Sequence, residues 1–549
     1  MIKWVDKLRT FRISHRCLLL LLVLIFNSVQ ISASNAHTVV SSNASIYKEI
    51  SLLCIEQGSA MPSSSGPWTM QELLLMVGEI DRAKLSRTGQ IRYDAVQAQL
   101  GLATVAPALS FSAVSSLQLN LEGYAHTNAT AFAKEDDWFY ENEKRSPIAI
   151  VDGQAWIGDQ FYLYSNFGIK NNRFATEDPD SNAPSDTLLF SPHVSTNLIK
   201  SGTHDFDTPS RAFLAFGGEH YSLQFGRDLI SWGYGTTGNL IIDDHVKYHE
   251  FLKLSLFSKQ FKFTNLIMFM DPPGYITKNR DPYYPDDKTE PTVRMFLAHR
   301  FEFTPIPPLR IEVSENVMYQ DTTFNMKYLN PLFIYHNLSN RGQFNAIADI
   351  TVTYTLRPNL AMYATWVIDQ VAAPGEGNDQ PNAMAYQVGL RTLFPRETGY
   401  WSLTSEFVYT DPYLYLRDHV DFIVMTRERD QYYGYVPHYE FLGYQYGGDA
   451  LVGLLQAEWN GNGACSAGGE VFYMAHGATT KDTEFVFGEM EAITTPSSPT
   501  IHTLRLGLWG SYRAERLPIS LWARIDAINR WDSSHQVDVQ VAAGISYTL

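Results

Sequence analysis

"QVDVQVAAGISYTL", residues 536–549, ends the chain, and its side chains alternate in character to the last residue. Val537, Val539, Val541, Ala543, Ile545, Tyr547 and Leu549 fall on one face. Gln536, Asp538, Gln540, Ala542, Gly544, Ser546 and Thr548 fall on the other. A period of two puts successive side chains on opposite faces of a sheet. An edge strand of a soluble sandwich would read the same way, so the rest of the chain has to decide.

Three other stretches repeat the scheme. In "PLRIEVSENVMY" Leu309, Ile311 and Val313 oppose Arg310, Glu312, Ser314 and Asn316. In "NLAMYATWVID" Leu360, Met362, Ala364, Trp366 and Ile368 share a face, and "FNAIADITVTYTL" opposes its apolar residues with Asn345, Asp349 and three threonines. Such polar ladders suit a wet lumen better than the middle of a sandwich. Short links near 158–159, 218–219, 259, 305–307, 357–358, 395–399, 461–463 and 514–516 alternate with long ones, of which 126–147, 228–249, 320–343 and 411–449 are examples. Outer-membrane barrels have short periplasmic turns and long external loops, and the spacing predicts about 18 strands with both ends periplasmic. The expected fold is therefore all-β: a transmembrane antiparallel barrel over 113–549, behind a small periplasmic helical segment or plug over 37–112. The terminal strand, with Tyr547 third from the end, resembles the signal read by the barrel-assembly machinery, although Leu549 replaces the usual final Phe.

The N-terminus agrees on compartment. Lys3, Lys7, Arg9, Arg12 and Arg16 precede the apolar run "CLLLLLVLIF" (17–26), and small residues follow. That order predicts a signal peptide over 1–36 and export to the outer membrane of a diderm bacterium. The run is too short for a membrane-spanning helix, which needs about 20 apolar residues. The formal net charge of −16 argues against nucleic acid as a partner. Cys54 and Cys465 are too few for a disulfide scaffold, and spacing leaves open whether they pair. In "PWTMQELLLMVGEIDRAKL" Met70, Leu73, Leu74, Val77, Ile80 and Leu85 recur at helical spacing, and "YDAVQAQL" suggests a second helix.

"QFGRDLISWGYGTTGN" (224–239) holds a formal G-x-G-x-x-G at Gly233, Gly235 and Gly238. A dinucleotide site needs a helix after the third glycine and an acid about 20 residues on, and neither is present. No cofactor is expected; the glycines let a loop fold back towards the lumen. "HEFLK" (249–253) has Lys253 where a zinc site needs its second His, and no G-x-S-x-G occurs, so no enzyme is expected. Asp243, Asp244 and His245 read as a solvated acidic loop, and no metal site is expected.

"GRDLISWGYGTTGNLIIDD" (226–244), "FLAHRFEFTPIPPLRIEVSENVMY" (296–319), "YLNPLFIYHN" (328–337) and "FLGYQYGGDA" (441–450) resemble, in order, the motifs of the Wzi capsule-assembly outer-membrane proteins. The matching residues are Gly226, Arg227, Asp228, Trp232, Gly233 and Gly235, then Tyr328, Asn330 and Pro331; Tyr234 stands where many relatives have Pro. Their structural reading is a lumen salt bridge, an interface aromatic and an Asn-Pro turn. The resemblance implies an 18-stranded barrel with a periplasmic helical bundle, acting as a lectin that retains capsular or other surface polysaccharide, with outer-membrane lipid around it. A channel of porin type, or a surface adhesin, is the alternative, and a plugged lumen would argue against the channel.

One loop carries the candidate sugar surface. "DQYYGYVPHYEFLGYQYGG" (430–448) holds Tyr432, Tyr433, Tyr435, His438 and Tyr439, with Tyr444 and Tyr446 beyond. Tyrosine offers a flat apolar ring and a polar edge, which match the C–H faces and hydroxyls of a sugar. Trp232 and Tyr234 are expected to approach the same external mouth.

Overall fold

The computed structural model describes residues 36–103, 111–132, 137–141, 144–171, 194–199, 204–207, 210–272, 292–335, 343–371, 381–430, 434–462, 465–486, 488–514 and 517–549. All but the last residue of the expected signal peptide lies outside the described residues, as do Tyr432 and Tyr433.

Eighteen long antiparallel strands close into one barrel. In chain order they are β1 (Phe111–His126), β2 (Ala149–Ile157), β3 (Phe161–Asn171), β4 (Ala212–Gly218), β5 (Tyr221–Asp228), β6 (His249–Phe257), β7 (Phe261–Met270), β8 (Val293–Ile306), β9 (Leu309–Asp321), β10 (Phe344–Arg357), β11 (Leu360–Gln370), β12 (Ala383–Arg396), β13 (Gly399–Thr410), β14 (Ala450–Gly461), β15 (Cys465–His476), β16 (Ile501–Arg513), β17 (Ile519–Trp531) and β18 (His535–Thr548). Sequence neighbours are sheet neighbours, and β18 closes on β1 from Gln540 opposite His126 to Thr548 opposite Gln118. Short strands at Val194–Thr196 and His204–Asp207 extend the sheet beside β1 and β3. Short and long links alternate as the sequence spacing predicts.

Burial runs opposite to that of a soluble protein. On β9 Val313 is 44% exposed, whereas the carboxylate-bearing Glu312 beside it is 0% exposed. Phe301, Ile350 and Leu508 are bare on the same outer surface. Apolar side chains outside and polar ones inside are stable only when lipid surrounds the wall. Aromatic rings mark both rims: Trp366, Tyr386 and Tyr409 form a ladder towards the long loops, and Trp401 meets Trp459 near the short turns.

Three helices cap the short-turn end: α1 (Ser45–Gln57), α2 (Met70–Val77) and α3 (Arg87–Ala103). The helix expected through Leu85 stops earlier, at Val77, where Gly78 and a 3-10 turn at Arg82–Lys84 break it. The Thr69 hydroxyl caps its start by accepting from the Glu72 N–H at 3.3 Å. α1 escapes sequence reading because it has two apolar faces. Ile50 and Leu53 pack within the bundle, while Leu52 and Ile55 pack on Ala361, Tyr363 and Leu393 of the wall. Its N-cap is Ala44, which makes no side-chain cap. The cap is bolted to the turns: Asn359 N–H donates to Ile55 O (2.9 Å), Ala60 N–H to Pro307 O (2.8 Å), and Arg92 to Asn460 O and Gly461 O (2.7 and 2.9 Å).

Candidate functional site

Between α1 and α2 the chain enters the barrel. Ser63 Oγ donates to Glu302 at 3.0 Å, Ser64 Oγ to Glu312 at 3.2 Å, and Ser65 Oγ also reaches Glu302. Lys253 Nζ donates to Pro67 O at 2.6 Å, and Lys262 to Ser65 O at 3.1 Å and to Glu72 at 3.0 Å. Arg300 pairs with Glu312, and Arg310 lies 3.2 Å from Glu302 while donating to Met61 O at 3.1 Å. These inner faces of β6–β9 are the polar ladder of the sequence, but it is dry: Arg300, Glu302 and Glu312 are buried. Buried charges persist only when paired, and here the serine segment completes the pairing.

The glycine loop, residues 229–248, closes the same lumen from above. Gly233 has φ +140°, and a Cβ at Gly235 would lie 1.9 Å from Gly238 O, so each glycine is required by tight backbone return. Thr236 and Thr237 N–H groups both donate to Glu406 at 2.8 Å, and Gln387 donates to Gly238 O at 2.8 Å. Trp232 N–H donates to Ile242 O at 2.9 Å, and the Trp232 ring lies beneath the Arg300 guanidinium at 5.4 Å. Tyr234 reaches furthest in: its hydroxyl contacts Glu312 and lies 2.9 Å from Pro62 O. Trp232 and Tyr234 are thus buried in the barrel and do not approach the external mouth, a correction to the sequence reading. Alternation along a strand could not reveal it, because a long loop's direction is set by what it packs against.

Arg227 and Asp228 do not pair with each other either. They point to opposite faces of β5: Asp228 binds Arg211 at 2.6 Å inside, and Arg227 Nε donates to Glu250 at 2.6 Å, its guanidinium 4.0 Å over the Tyr248 ring. Gly226, at φ +135°, precedes them where a Cβ would meet Ala212 O at 2.4 Å. Glu250 therefore faces away from buried His249, and the two share no site. Asp243 is spent on structure, accepting from Asn239 N–H (2.8 Å) and contacting His245 (2.9 Å). Cys54 and Cys465 are both free thiols.

The 411–449 loop divides in two. Its outer part is a hairpin of Ile423–Asp430 with Gly434–Phe441, whose second strand includes Tyr435. His438 Nε2 lies 3.4 Å from Glu440, and Lys481 Nζ donates to Tyr439 O at 2.8 Å. Burial opposes ionisation of Glu440, but His438, His245 and Lys481 outweigh it and hold its carboxyl below the usual range. The rest turns inward: Tyr444 N–H donates to the Tyr415 hydroxyl at 3.0 Å, and Tyr415 OH donates to Leu240 O at 2.5 Å. Tyr444, expected at mid-loop, is a lumen residue. Buried Asp449 fastens the next loop by accepting from Ser497 N–H (2.8 Å) and Thr479 N–H (3.2 Å).

Tyr328, Asn330 and Pro331 stand elsewhere, in the 322–343 loop. Asn330 Oδ1 accepts from Leu332 N–H at 3.1 Å, making the expected Asn-Pro turn, and Tyr328 is buried against Tyr319 and Phe344.

A family profile described as "Capsule assembly protein Wzi" matches residues 124–505. The barrel is similar to a solved structure described as Wzi, an outer-membrane protein involved in group 1 capsule assembly in Escherichia coli and a carbohydrate-binding β-barrel. Identity is 13%, the TM-score is 0.57, and the match covers 92% of this chain and 98% of that one. OccK8 (OprE) of Pseudomonas aeruginosa is matched at 8% identity over 80% of this chain and 98% of that chain, with a TM-score of 0.41. OccAB4 of Acinetobacter baumannii is matched at 8% identity over 79% of this chain and 98% of its own, with a TM-score of 0.39. No curated protein matches.

Proposed function

Because the chain belongs to the Wzi capsule-assembly family of outer-membrane barrels, we infer that it binds surface polysaccharide on its external face and holds it at the cell. The observation that supports this reading over a channel is the filled lumen. The serine segment enters from one end and the 229–248 loop from the other, and they meet where Tyr234 contacts Glu312 and Pro62 O. A barrel packed in this way has its outer loops left for work. The similar Escherichia coli barrel is described as carbohydrate-binding, which favours a sugar ligand.

Within that reading the sugar surface is the 423–441 hairpin. Tyr432, Tyr433 and Tyr435 supply stacking rings, while His438 and Tyr439 supply the polar edge. Trp232 supports it from within the barrel, in one buried cluster with Ile423, Val424 and Phe441. An N-terminal signal peptide delivers the chain, and β18 presents it to the assembly machinery. The test is retention of purified polysaccharide by folded, heat-modifiable protein. Replacing Tyr432, Tyr433 and Tyr435 together by Ala should lower affinity by at least about tenfold, since stacking is worth ~0.5–1.5 kcal/mol per ring. Undiminished binding by that variant would remove the hairpin as the sugar surface.

A further inference from the structure

The 322–335 segment runs down the outside of the wall. On β7, β8 and β9 the residues facing out alternate with those facing the lumen, and three outward positions carry polar groups. Asn265 lies opposite His299, and His299 lies opposite Glu315, so the three form one row across adjacent strands. Their outward neighbours along the strands are Phe263, Phe301 and Val313, and the last two are bare. A polar row at this place faces hydrocarbon unless something covers it.

The covering group is Tyr335. Its ring stacks on His299 at 4.4 Å with 14° between planes, its hydroxyl lies 3.4 Å from Asn265 Nδ2, and its N–H donates to Glu315 at 3.1 Å. Above it Tyr328 seals Tyr319 and Phe344 on the same outer face. Exposed on the segment are four large apolar side chains, Leu332 at 84%, Met326 at 72%, Ile334 at 63% and Phe324 at 48%, with Asn325, Lys327 and Asn330 exposed beside them. This face continues the bare belt of Phe301, Val313 and Ile350 directly, and Glu315 and rim-marking Trp366 stand at comparable distances from their periplasmic turns.

We propose that residues 322–335 form a flap lying in the outer leaflet of the membrane, with Met326, Leu332 and Ile334 among the acyl chains. The sealed row beneath it then meets no lipid, and the loop takes no part in an external sugar surface. Both parts follow from one geometry. An aqueous loop would bury side chains as large as Leu332 and Ile334 against the wall, whereas this segment turns them outward and lays Tyr335 on the polar row.

The test uses full-length protein with Cys465→Ser, since Cys54 is buried, reconstituted into palmitoyl-oleoyl phosphatidylcholine vesicles. Nitroxide labels are placed singly at Met326→Cys and Leu332→Cys. Leu508→Cys on the bare belt and Ser533→Cys at a loop tip serve as references. Collision rates with oxygen and with a neutral nickel chelate are then read by electron paramagnetic resonance. The flap requires both labels to match the Leu508 label, rich in oxygen and shielded from nickel. Nickel accessibility equal to that at Ser533 overturns the proposal. Shielding from both quenchers, with spin–spin broadening, also overturns it and assigns the face to a second copy of the chain. Heat-modifiability checks each variant's fold, and Ile334→Cys gives an independent reading should either label disturb it.

Discussion

Glu312 shows how far one residue can be committed. It pairs with Arg300, accepts from Ser64, and contacts the Tyr234 hydroxyl, so β8, the serine segment and the glycine loop meet on one carboxylate. Glu312→Ala leaves Arg300 buried without its close partner, and breaking a buried pair costs about 3–5 kcal/mol. Urea unfolding from vesicles should show that loss. Lys48–Glu458, with a half-exposed lysine, is the contrast: Lys48→Ala should change stability by about 1 kcal/mol or less. Cys54 makes a third residue-scale prediction. Burial lifts its thiol to about 12, so at pH 8 it stays protonated. A maleimide should label one cysteine, Cys465, in folded protein and both after denaturation. Two rapid labels in the folded state would mean that α1 does not pack as described.

At the scale of elements, the loops named by sequence motifs do three different jobs. The 229–248 loop plugs, the 322–335 segment covers the outer wall, and the Ile423–Asp430 and Gly434–Phe441 strands pair with each other, rooted through Ile423, Val424 and Phe441 in the lumen's apolar cluster. Sequence displays all three as long polar-flanked links, and the distinction lies in partners far away in the chain. One signal was available: Asn265, His299 and Glu315 each interrupt an apolar outward face, and three interruptions in register mark a covered patch. α2 offers a local test of the cap. Thr69→Ala removes the hydroxyl that caps its N-terminus, and the expected cost is about 1 kcal/mol. Faster proteolysis within 59–67 in that variant, with the barrel still resistant, would report the cap loosening alone.

For the whole molecule the filled lumen governs behaviour. Planar bilayers containing the protein should show no large steady conductance steps. Replacing residues 229–246 by a short Gly-Ser linker should open steps, because the upper half of the plug is gone. Large steps from the unaltered protein would contradict the packing of Tyr234, Glu312 and Pro62. Orientation is checked on intact cells: a cysteine at Ser498 should react with an impermeant reagent, and ones at Lys259 and Asn359 should not.

The sequence by itself determined the strand number, the alternation of turns, the lipid-facing surface and the family resemblance. All four depend on near neighbours: side-chain period, turn spacing and motif order are written along the chain. It also led to the glycine loop as a tight backbone return rather than a phosphate cradle. Only the tertiary structure decided where each loop goes and which polar groups are dry. Trp232 and Tyr234 look like surface aromatics until Arg300 and Glu312 are placed beside them, and Tyr335 looks like loop filler until His299 lies under its ring. A strand's facing is fixed by the two residues next to it, whereas a loop's destination is fixed by partners tens to hundreds of positions away, which no local pattern records.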